Sequence, residues 1–424
     1  MKKPISMPQM LVLNAYWVGL SFMWNALHPI ILPAVLLNYV PDAQKNTYLG
    51  LLTFAGLFIA MLIQPLSGAV SDGWSSRFGR RRPLIVIGTL FDFVFLLLLA
   101  FGGGLLWLFI GYVGLQLSSN IAHGPLQGLL PDRVPKHQVG VASSLKTFMD
   151  MLSLIIASLL AGRLLDPVRR DPTVIMLVLI GLLAVSASIT IFFTPEEPTH
   201  DRPHPDLRGL VASFKIDLRQ NTAYWWLIAE RALFLLGIYG VQAFAQYYLQ
   251  DVLRVADPPK ETGDLLAFIT VGLVILVLIG GWLTDRFGAK RVLYVATGIT
   301  ALGMLLMLFA ADLTGLKVFA SIVGAGIGLF LTSNWALANA LAPGEQAGKF
   351  LGLTNIATAG SGALARLEGP ALDVLNAAWP GAWVGYKGLF IFGAACMLLS
   401  LLLLSRIRMG SHIQPAVASS SAGD

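Results

Sequence analysis

Apolar residues fall in twelve long runs along this chain, at roughly 11–37, 47–71, 83–101, 105–130, 139–162, 174–194, 223–248, 263–284, 292–311, 316–341, 348–371 and 386–405. A helix that crosses a bilayer needs about 20 mostly apolar residues, and each run is near or above that length. Several runs carry helix breakers, among them Pro29, Pro33, Pro65 and Pro125. Within a bilayer such residues are tolerated, because neighbouring helices and polar side chains satisfy the backbone groups they free. The pattern therefore predicts an all-α membrane protein with twelve transmembrane helices.

The longest polar stretch lies in the middle. It divides the chain into an N-terminal six-helix domain at 1–196, a linker at 197–222, a C-terminal six-helix domain at 223–408 and a tail at 409–424 that is expected to be disordered. Inside the linker, Leu207, Leu210, Val211, Phe214 and Leu218 recur at helical spacing. That spacing predicts an amphipathic helix lying at the membrane interface, with a plain linker as the alternative.

Composition agrees with the pattern. Hydrophobic residues make up 56% of the 424 and charged residues only 12%, against about 25% charged in soluble domains. The mean hydropathy is +0.73. The net charge of +6 is expected from basic membrane loops, not from nucleic-acid binding, since Lys and Arg cluster between apolar runs. Counting those loops with the N-terminus inside puts the larger share of Lys and Arg on the cytoplasmic side. Both termini are thus expected to be cytoplasmic and the protein to sit in the cell membrane. No small-residue cleavage site follows a short apolar region near the start, so the first run is expected to remain as an anchor. The single cysteine, Cys396, excludes an internal disulfide and a thiolate metal site. No phosphate-binding Gly-Lys-Ser/Thr loop is present, and His28 and His123 have no metal-ligand spacing. An enzyme, a metal and a cofactor are therefore not expected.

Two loops share a pattern. One reads Gly68-Ala-Val-Ser-Asp72-Gly-Trp-Ser-Ser-Arg77-Phe-Gly79-Arg80-Arg81-Arg82-Pro83. The other contains Gly281-Trp-Leu-Thr-Asp285-Arg286-Phe-Gly288-Ala-Lys290-Arg291. Each follows an even-numbered run at the equivalent place in its half. Glycine at a helix end permits close helix approach, and Asp beside Arg can pair with it or face a helix N-terminus. Gly68, Asp72, Arg77, Gly79, Arg80 and Arg81, with Asp285, Arg286 and Gly288, thus form a candidate conformational latch. The paired loops resemble the signature of the major facilitator superfamily, and the six-plus-six layout extends that resemblance over the whole chain. Within it, the first half is similar to sucrose transporters and related glycoside–cation symporters. The longer loop after Asp72 carries this likeness, as does Gln116-Leu-Ser-Ser-Asn120-Ile-Ala-His123-Gly124-Pro125-Leu-Gln127-Gly-Leu-Leu-Pro-Asp132. Two positions depart from that branch: Gln116 stands where the branch has a carboxylate thought to take a proton, and Gln127 where it has an arginine.

The resemblance implies that runs one, four, seven and ten line a central cavity. Those runs hold Trp24, Asn25 and His28; Gln116, Asn120 and His123; Tyr239, Gln242 and Gln246; and Asn334, Trp335 and Asn339. Amides, hydroxyls and aromatic faces suit a polyhydroxylated solute, although some of these groups could instead join helices to one another. Charges within the runs are candidates for ion coupling. Asp150 ranks first, paired at i, i+4 with Lys146, ahead of Glu230 with its neighbour Arg231 and Asp92. The Lys146–Asp150 pair could also be purely structural, and Asp92 could face a neighbouring helix. Arg366 and Glu368 read as a gate or structural pair. The expected partners are a small-molecule solute, a co-transported cation and the lipid bilayer, with no nucleic acid. Three functions compete: proton- or sodium-coupled sugar or glycoside symport, facilitated movement or export of another metabolite or drug, and a non-transporting receptor of the same fold.

Overall fold

The computed structural model describes residues 4–199, 221–342 and 347–407. The expected linker helix over 206–219 and the tail from 409 lie outside them. Thirteen helices are present among the described residues: α1 (Met7–Leu36), α2 (Lys45–Asp72), α3 (Arg82–Phe101), α4 (Leu105–Arg133), α5 (Val139–Leu164), α6 (Thr173–Phe193), α7 (Thr222–Asp251), α8 (Pro258–Phe287), α9 (Ala289–Met307), α10 (Leu313–Leu341), α11 (Ala347–Ala365), α12 (Gly369–Ala378) and α13 (Val384–Arg406). Eleven of them, all except α11 and α12, are long and apolar enough to cross a membrane. The eleventh run was expected as one helix over 348–371. It is broken instead by a 3-10 turn at Arg366–Glu368, where Pro370 falls in the first turn of α12 and cannot continue the preceding ladder.

The helices fall into two compact units. The first holds α1–α6, the end of α7 from Ala243, the start of α8 to Ala267, and Arg366–Ala382. The second holds α7 to Gln242, the rest of α8, then α9–α11 and α13. In the first unit α1 packs on α5 and α6, and α4 packs on α2 and α3. In the second, α9 packs on α10 and α13. Polar bonds explain why pieces of α7, α8 and α12 group with the first unit. Lys45, only 2% exposed, holds Asp251 at 2.6 Å. Asp373 accepts from the Asn46 amide at 2.8 Å and from the Thr47 backbone at 2.7 Å. Arg163 pairs with Asp264 at 2.7 Å.

One local feature of α1 follows from its prolines. The helix widens to a π turn over Leu27–Ile31. Pro33 has no N–H, so it cannot bond the Pro29 carbonyl four residues back. Gln246 of α7, with its amide nitrogen turned toward α1, serves that carbonyl at 3.0 Å and that of Ile30 at 2.9 Å. Its neighbour Tyr247 donates to the Pro33 carbonyl at 2.9 Å.

Candidate functional site

The loop after α2 is bonded at every turn. Gly79 has φ +92°, a left-handed conformation that disfavours any side chain. That reversal brings Arg80 and Arg81 back over the ends of α2 and α4. The Arg81 guanidinium reaches Asp72 at 2.6 Å and Asp132 at 2.9 Å. Arg80 also pairs with both carboxylates. Its hydrogen bond to Asp132 holds the guanidinium above its ordinary pKa. Glu196, just past α6, accepts from the backbone N–H of Arg81 and of Arg82, each at 2.9 Å. A carboxylate there satisfies orphan donors at the start of α3 and faces the positive end of its dipole. Arg77 lies over the Phe78 ring at 4.7 Å. Gly68 packs against the backbone of Gly124.

The second loop repeats the shape and not the bonding. Gly288 also has positive φ, +86°. Asp285 makes no ion pair among the described residues, and Arg286 lies over the rings of Trp282 and Phe287 at 5.3 and 5.5 Å.

Within the first unit, side chains of α1, α4 and α5 meet in two polar clusters. In one, Tyr112 Oη lies 3.0 Å from His28 Nε2. Gln116 Nε2 lies 2.8 Å from the same hydroxyl and 3.1 Å from the same imidazole. Asn120 donates to the Gln116 carbonyl at 2.7 Å. Trp24 stacks on His28 with ring centres 5.0 Å apart. In the other, Asp150 accepts from Lys146 at 2.7 Å and from Ser21 at 2.6 Å. The Lys146 ammonium sits 3.8 Å above the centre of the Trp17 ring. His123 meets Trp17 edge-on at 4.9 Å and lies 3.3 Å from Gln127. Asn25 is half-buried on α1 beside these groups in sequence.

Asp92 is fully buried and bonds none of the residues named in these two clusters. One of its oxygens accepts from Ser118 at 2.5 Å and the other meets no donor. It faces α4, a neighbouring helix.

The second unit has its own buried network. Asn334 joins two adjacent charges of α7: its amide donates to Glu230 at 2.8 Å, and its carbonyl accepts from Arg231 at 2.6 Å. Ser400 donates to the other oxygen of Glu230 at 3.3 Å, and Arg231 bonds Thr358 at 3.0 Å. Glu230 and Asn334 are 0% exposed and Arg231 7%. Tyr239 and Gln242 are half-buried on the same helix. Trp335 is exposed, and Asn339 bonds its carbonyl at 2.9 Å. Gln246 belongs to the α1 break described above, not to either cluster.

Sequence reasoning did not single out Tyr112, Ser21, Ser400 or Thr358. Tyr112 precedes Gln116 by four residues, a spacing that puts both on one helix face. Ser21 bears the same relation to Trp17.

These features define a polytopic all-α membrane protein whose interior is furnished with polar side chains. The family model of the Major Facilitator Superfamily matches residues 6–366, and the chain belongs to that superfamily. Among curated relatives it is 27% identical over 274 residues to an uncharacterized symporter, YnaJ, of Bacillus subtilis, covering 59% of this chain and 56% of that protein. It is 25% identical over 130 residues to the sucrose transport protein SUC4 of Arabidopsis thaliana, covering 27% of this chain and 25% of the relative. The chain thus spans about half or less of the length of these relatives. Among solved structures its fold matches a D-xylose-proton symporter, with a TM-score of 0.73 at 14% identity, covering 94% of this chain and 97% of the other. It matches the nucleoside transporter NupG equally well, with a TM-score of 0.73 at 12% identity, covering 95% and 99%.

Proposed function

We propose that this protein is a secondary transporter of a small polar solute, sugar or glycoside first, driven by a proton or sodium gradient and working by alternating access. It is proposed to sit in the cell membrane with both termini cytoplasmic. The observation that carries this reading is the adjacency, inside the first unit, of an uncharged polar cluster and a charged one. His28, Tyr112, Gln116 and Asn120 offer the amides and hydroxyls that match sugar hydroxyls, and Trp24 supplies an aromatic face for the apolar side of a sugar ring. Lys146 and Asp150 of α5 meet α1 at Trp17 and Ser21, on the same helix that carries Trp24 and His28. A carboxylate held by a movable cation has a proton affinity that changes as the cation moves, which is what coupling requires. Glu230, Arg231 and Asn334 form a second charged network suited to the same work. The symporter and sucrose-carrier relatives agree with this class of activity. The loop pairs at Asp72 and Asp285 are proposed to act as latches between conformational states.

The test is uptake of labelled sugars and glycosides into proteoliposomes under an imposed pH gradient, sodium gradient or neither. Accumulation that follows one gradient supports the reading. Uptake that ignores both gradients overturns the coupling, and no uptake of any sugar with uptake of another solute overturns the substrate class.

A further inference from the structure

The surroundings of the Lys146 ammonium are those of a cation-binding position. Asp150 presents one carboxylate oxygen to it at 2.7 Å. The other oxygen is oriented by the Ser21 hydroxyl at 2.6 Å. The Trp17 ring closes a further side, with its centre 3.8 Å away. A carboxylate oxygen is a donor that a hard cation takes, and an indole face attracts ammonium ions in particular. The occupant reaches this place from one turn away on the same helix. Lys146 and Asp150 keep partial access to solvent, with side-chain exposures of 29% and 23%. A long charged side chain on a membrane helix usually extends its charge towards water. Here it folds back onto the carboxylate and the ring instead.

We infer that Lys146 is the tethered occupant of a monovalent-cation position built by Asp150, Ser21 and Trp17, so that no free sodium ion binds there unless the tether is removed. This deepens the transport reading by naming the ion that Asp150 does not take. The position itself is a binding property and is tested without transport.

The experiment measures the thermal unfolding midpoint of purified protein as choline chloride is replaced by sodium chloride, or by methylammonium chloride, at constant ionic strength. Wild type is expected to show no saturable response to either cation that depends on Asp150. Lys146→Ala is expected to gain a saturable rise of roughly 2–4 °C with at least one of them, since a ligand that binds only the folded state stabilises it. Lys146→Ala/Asp150→Asn is expected to lose that gain. Lys146→Met, which keeps an apolar stem over Trp17, takes the place of Lys146→Ala if the latter fails to give a monodisperse protein. A saturable sodium response in wild type that Asp150→Asn abolishes would overturn the inference. So would folded Lys146 variants that respond to neither cation, or a response that survives the double substitution. Proteoliposomes that fail to take up sugar would count against the transport reading and leave these binding results standing.

Discussion

Replacing Asn334 with leucine is the sharpest perturbation of the second unit. Asn334 bonds both Glu230 and Arg231: it gives a hydrogen to one at 2.8 Å and takes one from the other at 2.6 Å. Leucine keeps the same branched skeleton and offers neither. Hydrogen bonds to charged groups contribute about 1.5–3 kcal/mol each, so the two together are worth about 3–6 kcal/mol. No discount for solvent is needed, because Glu230 is 0% and Arg231 7% exposed. The assay is unfolding of purified protein by a denaturing detergent, read as a free-energy difference from wild type. Glu230→Gln and Glu230→Gln/Asn334→Leu complete a double-mutant cycle. One of the two charges that Asn334 serves is absent from the double variant, so its loss should fall short of the sum of the single losses by about 1–3 kcal/mol. A loss below about 1 kcal/mol for Asn334→Leu, or strict additivity, would refute the bridging role of this amide.

Three further outcomes are expected. Asp150→Asn should abolish accumulation against a gradient and leave exchange at equal concentrations intact; undiminished accumulation would remove Asp150 from coupling. Gly88→Ala adds a methyl that would lie 2.6 Å from the Ser118 carbonyl and 2.7 Å from the Ala122 nitrogen. Those are backbone atoms of α4, so α3 and α4 must part, at a cost of about 1–3 kcal/mol seen as a lower unfolding midpoint. Gln246→Leu leaves the Pro29 and Ile30 carbonyls without the amide and should cost about 1–3 kcal/mol; a variant as stable as wild type would show that the α1 break needs no partner from α7.

The fold was legible because its signals are local. Runs of apolar residues announce spanning helices, and the glycines that recur in the two loops, Gly79 and Gly288, both take positive φ. The break in the eleventh run was hidden by a different circumstance: Arg366 and Glu368 look like charges carried within one helix, and Pro370 two residues on stops the ladder. Long-range partners were less readable. Asp132 and Glu196 are 51 and 115 residues from Arg81 in the chain. Nothing in their neighbourhoods marks them as bonded to it. The polar clusters were readable as membership and not as pairing. His28 and Gln116 stood out as amide and imidazole in apolar runs, whereas their common partner Tyr112 passes for an ordinary aromatic. Gln246 shows the limit most plainly. By type and position it is the same kind of residue as Gln242, one helical turn earlier, yet its amide is engaged by two carbonyls of α1.

That engagement has a consequence for how the chain is made. Pro29 is synthesised some two hundred residues before Gln246, and ribosomes add about 5–20 residues per second. For roughly 10–40 s at that rate the nascent α1 lies in the membrane without the side chain that completes its backbone bonding. The first helix to be inserted is therefore finished only when the seventh arrives, and its π turn stays open until then.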